Sequence, residues 1–203
     1  MTPEDVETFE RCISVGGVAL FPADTVYGLA TKPDSREGVE RLYRLKGRQP
    51  GKPTAVMFFE VGLALAALPE LGERTRAAVE RLLPGALTLL VPNPARRFPL
   101  ACGPEPEVLG LRVPLLEGAL EPLGAVGRPV LQSSANRSGQ PESRRVADVD
   151  PDLRSAVDLI LDAGEVPGAP STVIDLTSYE DDGSWDVVRA GAIPREAVVR
   201  CLR

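Results

Sequence analysis

Short apolar runs alternate with helix-like patterns along nearly the whole chain, and no other feature of the sequence constrains the fold as strongly. Runs such as 17–21 (GVALF) and 86–91 (ALTLLV) have the length of buried strands, while the segments between them place apolar residues three or four positions apart. Strands that alternate with helices predict an α/β sheet packed by helices. Two strands follow each other without a helix between Ser171 and Arg189, so we expect a mixed sheet.

The boundaries of the elements follow from apolar periodicity and from capping and turn residues. We predict helices after the caps Thr2 and Ser35, over 62–68, 73–83 and 115–123, and from Pro194 onward. Strands are predicted over 17–21, 55–59, 86–91, 108–113, 129–132, 159–161, 172–176 and 185–189, with loops over 22–29, 92–104 and 133–139. Neither a low-complexity linker nor an internal repeat interrupts these elements, so we expect a single domain over residues 1–203.

Composition excludes several classes of function. A net charge of −6 argues against the broad positive field that tight nucleic-acid binding needs. The chain contains no histidine, which excludes Ser-His-Asp and Cys-His nucleophiles, histidine-ligated zinc and a histidine general base. An enzyme with this sequence must act through positioning and electrostatics, or use a carboxylate, a lysine or the substrate itself as base.

Cysteine usage and the first residues bear on location. Cys12, Cys102 and Cys201 lie far apart, so they form neither a CxxC pair nor a disulfide framework, which suits a reducing compartment. The charged N-terminal segment does not resemble a signal peptide, and no apolar run has membrane-spanning length. We expect a cytoplasmic protein without membrane contact.

One segment, Leu45–Thr54 (LKGRQPGKPT), concentrates positive charge in an otherwise acidic chain. Lys46, Arg48 and Lys52 lie there among two glycines and two prolines, at the end of a predicted helix. The segment is either an anion-binding site or a solvated loop whose cations favour the C-terminal end of a helix dipole. Residues elsewhere in the chain must decide between the two.

Polar residues within and after the predicted strands support an anion site. The loops 22–29 and 133–139 follow strands, where open α/β sheets bind ligands, although both also suit ordinary turns. Arg112 is the one charge in an apolar strand, so it must pair with a buried carboxylate or face a ligand. We favour the ligand, because the planar guanidinium fits carboxylates and phosphates. Neither GxxxxGK(S/T) nor GxGxxG occurs, so a nucleotide site must use side-chain cations and hydroxyls.

Seven short motifs occur in order along the chain: FPADTVYGLA, LKGRQPGKP, PGALTLLVP, GLRVP, SSANRSG, PSTVID and VRAGAI. Together they resemble the YrdC-like threonylcarbamoyl-AMP synthase family in its short, single-domain form, over about residues 21–193. The resemblance implies an open, twisted mixed sheet packed by helices around a concave, positively charged cavity.

The resemblance also implies an activity and partners. The family forms L-threonylcarbamoyladenylate and pyrophosphate from L-threonine, bicarbonate or CO₂, and ATP, with Mg²⁺ accompanying the ATP. The product serves threonylcarbamoyladenosine modification of tRNA, and other tRNA-modification proteins transfer the threonylcarbamoyl group. We therefore expect weak or no direct tRNA binding.

The resemblance also assigns roles to individual residues of this sequence. It implies no metal site formed by protein side chains. The Lys-x-Arg and Ser-x-Asn pairs imply the catalytic residues Lys46, Arg48, Ser134 and Asn136. The threonine pocket is expected to include Thr25, Met57, Arg112, Ser134 and Ser171. ATP is expected to bind to Arg48, Lys52, Asn136, Ser143 and Arg189.

Two of these positions depart from the family pattern. Met57 stands where some members carry a histidine near the threonine, and Val108 stands where others have a threonine. Both residues make the pocket less polar, so strict selectivity for threonine is less secure than nucleotide binding.

The implied chemistry accounts for the cations, because ATP, a carbamate and pyrophosphate are all anionic. We expect the threonine amine to attack CO₂ or bicarbonate, and the resulting carbamate to attack the α-phosphorus. Lys46 and Arg48 would stabilise charge on the phosphates, while Ser134 and Asn136 would orient the carbamate. We also expect the fold to tolerate loss of Lys46, since a helix end is not part of a core. Asp24 could assist the amine or hold the metal.

Three alternatives stay open. A YciO-like paralogue would share the architecture, although the SSAN segment argues against it. A double-stranded RNA-binding or ribosome-assembly module would use a basic concavity, but the acidic balance and the 4% aromatic content weaken this reading. A carbamoyltransferase-type nucleotide enzyme acting on another amine is the third.

Overall fold

Nine strands form one sheet in the computed structural model, which describes all residues, Met1–Arg203. The strands are β1 Ala19–Pro22, β2 Tyr27–Thr31, β3 Ala55–Met57, β4 Leu87–Pro92, β5 Val108–Arg112, β6 Val130–Ser134, β7 Leu159–Ile160, β8 Thr172–Asp175 and β9 Asp186–Arg189. The α-helices are α1 Pro3–Ser14, α2 Arg36–Lys46, α3 Val61–Ala67, α4 Glu73–Leu82, α5 Pro99–Cys102, α6 Pro151–Ser155, α7 Tyr179–Asp182 and α8 Arg195–Leu202. Two 3₁₀ helices span Gly118–Ala125 and Val146–Asp148. None of the helices has the length and apolar character needed to cross a membrane.

The sheet is open and mixed. Its strand order is β7-β1-β2-β6-β3-β5-β4-β8-β9, so β7 and β9 form the two edges. The pairs β1–β7, β3–β5 and β4–β8 are parallel, and the other neighbours are antiparallel. The predicted α/β class and the mixed sheet are confirmed.

Side chains alternate along each strand, and the two faces of the sheet are therefore different. One face buries Leu20, Leu89 and Leu111 in the main core against α2, α3, α4 and α8. The opposite face buries Met57 and Val130 in a smaller core with α1. That smaller core leaves the second face of β4, β5 and β8 uncovered, and the candidate site lies there.

Capping residues define both ends of α2. Ser35 Oγ accepts from the Gly38 amide at the first turn, as predicted. The helix ends at Gly47, whose φ of 58° lies in the left-handed region that glycine adopts without strain. The helix therefore ends inside the basic segment 45–54. Lys46 is its last residue, whereas Arg48 lies beyond the turn at Gly47, so the two side chains point in different directions.

Several predicted elements are wrong. The segment between β8 and β9 is predicted to contain no helix, but the short helix α7 lies there, and the two strands are nevertheless antiparallel. Strand β6 extends two residues into the predicted loop 133–139. The predicted loop 22–29 contains the start of β2, because residues 27–31 are all buried and pair with both β1 and β6. The predicted loop 92–104 contains the short helix α5. The predicted helix 115–123 is instead the 3₁₀ helix Gly118–Ala125, since Pro122 lacks the amide that an α-helical bond needs.

The aromatic cluster under α1 gives a test of this packing. Phe9 is 0% exposed, and its ring centroid lies 5.4 Å from that of Phe21 and 6.0 Å from that of Phe59. We expect Phe9→Ala to lower the free energy of unfolding by about 3–5 kcal/mol, because a large cavity remains. Urea unfolding measures this loss. The matched control Val15→Ala removes an 84% exposed side chain, and its free energy should change by less than about 0.5 kcal/mol. Equal unfolding free energies for both variants would contradict the assigned core.

Candidate functional site

A cavity of about 220 Å³ opens on the uncovered part of the second sheet face. Alternate residues of neighbouring strands build its floor: Thr88 of β4, Gly110 and Arg112 of β5, and Gln132 and Ser134 of β6. The residues between them, such as Leu89 and Leu111, face the main core. Loops and the edge strand β9 complete the wall with Arg48, Glu142, Ser171 and Arg189.

Positive charge dominates this cavity. Arg48, Arg112 and Arg189 line it together with a single acidic residue, Glu142. Burial lowers the pKa of Arg112, Asp24 opposes that shift, and the charge of Arg189 adds to it. The three guanidinium groups favour an anionic ligand, because such a ligand would relieve their mutual repulsion.

Arg112 both pairs with a carboxylate and borders the cavity. Its Nη2 donates to Asp24 Oδ1 at 2.8 Å and to Thr25 Oγ1 at 3.2 Å. The side chains of Arg112 and Asp24 are 4% and 6% exposed. Asp24 Oδ2 accepts from the Leu115 amide at 3.1 Å, so both carboxylate oxygens of Asp24 are engaged. Arg112 Nε is buried without a partner, and Nη1 forms no hydrogen bond either, so donors on both nitrogens remain for a ligand.

Lys46 lies in the interior, and its expected location outside a core is wrong. It is 2% exposed, and its Nζ donates to Ser134 O, to Asn136 O at 2.7 Å and to Asn136 Oδ1 at 3.2 Å. The loop after β6 covers the end of α2, where the Ser138 amide also donates to Lys46 O at 2.8 Å. Burial, more than the neighbouring Arg48, lowers the pKa of Lys46 to about 8. All three ammonium donors are used within the protein.

The structure brings three of the four expected catalytic residues into one network. Ser134 Oγ donates to Asn136 Oδ1 at 2.5 Å, and Asn136 Nδ2 donates to Gln140 O. Lys46 joins both residues, as described above. The fourth, Arg48, borders the cavity, where its Nη2 donates to Pro53 O and its Nε is buried without a partner.

Other expected site residues lie outside the lining of the cavity. Lys52 is exposed, and Asn136 is buried behind Ser134. Ser143 is 3% exposed and donates through Oγ to Ala135 O at 3.2 Å, so it supports the loop. Met57 is 0% exposed, because it packs in the smaller core with residues of α1 and of the 3₁₀ helix Gly118–Ala125. Val108 shares a face of β5 with Arg112 but does not line the cavity.

Sequence reasoning missed Thr88, Gln132 and Glu142. Thr88 is the one polar residue in the apolar run ALTLLV, which is the same signal that identified Arg112. Gln132 alternates with Ser134 on one face of β6, so a period of two would have found it. Glu142 follows no local pattern, because the fold of the loop after β6 brings it to the cavity.

A larger cavity of about 700 Å³ has a mostly apolar wall that includes Asp24, Leu115 and Cys201. It gathers no cluster of cations, so the smaller cavity is the better candidate for phosphate chemistry. No group of three or more His, Cys, Asp or Glu side chains is arranged to hold a metal ion.

The Sua5_yciO_yrdC family model, described as "Telomere recombination", matches residues 11–191. The chain belongs to the Sua5/YciO/YrdC family. Members of this family include the threonylcarbamoyl-AMP synthase of Pyrococcus abyssi, which is 29% identical over 94% of this chain and 55% of its own length. That of Chromohalobacter salexigens is 34% identical over 81% of this chain and 89% of its own length. The chain thus spans little more than half of the first relative and most of the second.

Solved structures of Sua5/YciO/YrdC proteins share this architecture. The crystal structure of P. abyssi Sua5 complexed with L-threonine aligns with a TM-score of 0.84 and 27% identity, over 99% of this chain and 58% of that one. The crystal structure of E. coli YciO aligns with a TM-score of 0.76 and 25% identity, over 97% of this chain and 94% of that one. The open mixed sheet is therefore the family fold.

The Lys46 network in this Sua5/YciO/YrdC chain can be tested by hydrogen exchange. We expect Lys46→Met to increase backbone amide exchange in residues 133–140 about tenfold, because oxygens of Ser134 and Asn136 lose their buried donor. Mass spectrometry of peptides from this loop measures the change. Peptides from α1, which does not contact the loop, serve as the internal control. Unchanged exchange in 133–140 would show that Lys46 does not hold the loop.

Proposed function

We propose that this chain is a threonylcarbamoyl-AMP synthase, which forms L-threonylcarbamoyladenylate and pyrophosphate from L-threonine, bicarbonate or CO₂, and ATP. One observation carries the proposal: Arg48, Arg112 and Arg189 converge on one cavity beside the hydroxyl of Ser134. The substrates and products all carry phosphate or carboxylate groups, which guanidinium groups bind well. The names of the two relatives, and the P. abyssi Sua5 complex with L-threonine, support the same reaction.

The threonine carboxylate is proposed to bind at Arg112. Its Nε is buried and unpartnered, so a carboxylate oxygen would satisfy a donor that the protein leaves open. Thr25 and Ser171 supply hydroxyls on either side, one bonded to Arg112 and the other to Arg189. Asp24 fixes the guanidinium of Arg112 and is therefore neither the general base nor a metal ligand in this proposal.

ATP is proposed to bind on the side of Arg48 and Arg189, with the exposed Lys52 near the triphosphate. Lys46 acts here as a positioning residue, because its donors are already bonded to Ser134 and Asn136. Asn136 and Ser143 support the loop that presents Ser134. Arg48 is then the cation that stabilises charge on the phosphates.

The proposed reaction has two steps. The threonine amine forms a C–N bond with CO₂ and loses a proton, or forms that bond with bicarbonate while a C–O bond breaks and water leaves. Either route gives N-carboxythreonine. Its carboxylate oxygen then forms a bond to the α-phosphorus of ATP, and the bond to the β-phosphate bridging oxygen breaks to release pyrophosphate. Arginine side chains compensate the charge that passes to pyrophosphate, which is the main demand of such transfers.

Mg²⁺ is proposed to enter with ATP as part of the substrate. The chain offers no cluster of acidic side chains for a resident ion, whereas phosphate oxygens are good Mg²⁺ ligands. The product is proposed to pass in the cytoplasm to other tRNA-modification proteins. The net charge of −6 supports weak or no direct tRNA binding by this chain.

The proposal is tested by incubating the protein with ATP, Mg²⁺, bicarbonate and each amino acid in turn. We expect pyrophosphate release and an adenylate of the threonylcarbamoyl mass with threonine. Arg48→Ala should reduce the rate about 10²-fold or more, because a preorganised cation is lost where charge develops. The matched control Arg44→Ala removes an exposed arginine of α2 and should retain the wild-type rate.

Each contrary outcome points to a different alternative. Product formation with another amine only would indicate a different carbamoyl-nucleotide enzyme. If ATP is not turned over with any amino acid, a YciO-like activity would be favoured. Salt-sensitive binding of duplex RNA without ATP turnover would favour the RNA-binding reading.

A further inference from the structure

We infer that Thr88 is a positioning residue that turns the hydroxyl proton of Ser171 toward the carboxylate of the bound amino acid. This inference rests on the proposed function and extends it to a residue outside the family motif pairs. Thr88 lies on β4, and Ser171 immediately precedes β8, its parallel neighbour in the sheet.

The two hydroxyls form a buried contact at the cavity. Thr88 Oγ1 lies 2.8 Å from Ser171 Oγ, and either oxygen could be the donor. Thr88 is 8% exposed and Ser171 is 4% exposed, so solvent does not readily replace either partner. Arg189 Nη2 lies 3.2 Å from Ser171 Oγ and 2.7 Å from Ser171 O. Ser171 therefore sits between a guanidinium and a threonine hydroxyl.

The number of available protons decides the direction of the hydrogen bond between the Thr88 and Ser171 hydroxyls. A guanidinium can only donate, so Ser171 Oγ accepts from Arg189. The one proton of Ser171 then goes either to Thr88 or into the cavity. When Thr88 donates to Ser171, the serine accepts two hydrogen bonds and its own proton is free. A carboxylate can only accept, so its binding selects this arrangement.

Arg112 also donates to a threonine hydroxyl, that of Thr25, which is 1% exposed and does not itself line the cavity. Thr25 Oγ1 accepts from Arg112 Nη2 and so helps to hold the guanidinium in place. Arg112 and Arg189 are close enough for the charge of Arg189 to lower the pKa of Arg112. Arg112, Arg189 and the hydroxyl of Ser171 thus face one small region. Hydrogen bonds from such groups to a carboxylate are stronger than neutral ones, which makes the direction of the Ser171 proton consequential.

The test compares Thr88→Val with Thr88→Ser. Valine keeps the shape of threonine but removes the donor, so the Ser171 oxygen loses the partner that orients it. We expect Thr88→Val to raise the dissociation constant for L-threonine about 3- to 10-fold, the range of one hydrogen bond. Thr88→Ser should restore it to within about twofold of wild type. Calorimetric titration with L-threonine and, separately, with ATP measures both affinities.

Two controls separate positioning from general loss of structure. The dissociation constant for ATP should stay near the wild-type value in Thr88→Val, which a collapsed cavity would not allow. Thr31→Val removes another buried threonine hydroxyl. Thr31 lies on β2, away from the cavity, and its hydroxyl donates to Gly16 O. That variant should bind L-threonine as the wild type does.

The opposite hydroxyl direction makes a different prediction. If Ser171 donates to Thr88 when the amino acid is bound, valine frees the serine proton, and threonine affinity stays equal or rises. If the wild type binds L-threonine and Thr88→Val binds it equally well or more tightly, this inference is overturned and the proposed function stands. A wild-type chain that does not bind L-threonine would overturn the proposed function and the role of Thr88 with it.

Discussion

The buried ammonium of Lys46 connects two parts of the site that lie about ninety residues apart in sequence. A charged lysine is costly to bury, and that cost lowers its pKa to about 8. Oxygens of Ser134 and Asn136 offset the cost by accepting all three donors. The end of α2 is thereby tied to the loop after β6. Arg48, two residues further on, and Ser134 face the same cavity because this connection holds.

Each of the three arginines of the cavity is held by hydrogen bonds from its Nη2, while its Nε and Nη1 form no hydrogen bond within the protein. Arg112 is paired with Asp24, while Arg48 and Arg189 donate to the backbone oxygens of Pro53 and Ser171. The Nε groups of Arg48 and Arg112 remain buried without partners. An unsatisfied buried donor destabilises the protein until a ligand accepts from it, so these two atoms are where an anion gains most. The pattern fits a site that binds a phosphate and a carboxylate together.

Local sequence predicts those features that depend on local periodicity. Apolar runs that alternate with helical patterns predict the α/β sheet. The mixed sheet is inferred from a segment predicted to lack a helix, but that segment contains α7. The single charge in the strand 108–113 identifies Arg112. The same rule applied to ALTLLV would have identified Thr88. By contrast, local sequence predicts a loop at the start of β2, because the burial of this strand depends on pairing with β6, about a hundred residues away. The burial of Lys46 likewise depends on a distant loop. Met57 lies in the expected strand, but it is buried in the smaller core with α1 and the 3₁₀ helix Gly118–Ala125, which no motif reveals.

We propose above all that ligand phosphates and carboxylates contact the arginines of this cavity, while Lys46 stays bonded within the protein. A crystal structure with L-threonine and a non-hydrolysable ATP analogue tests it directly. We expect the amino-acid carboxylate at Arg112 Nε, a phosphate at Arg48, and Lys46 Nζ still on the oxygens of Ser134 and Asn136. A phosphate bonded to Lys46 Nζ, or both ligands bound outside this cavity, would contradict it.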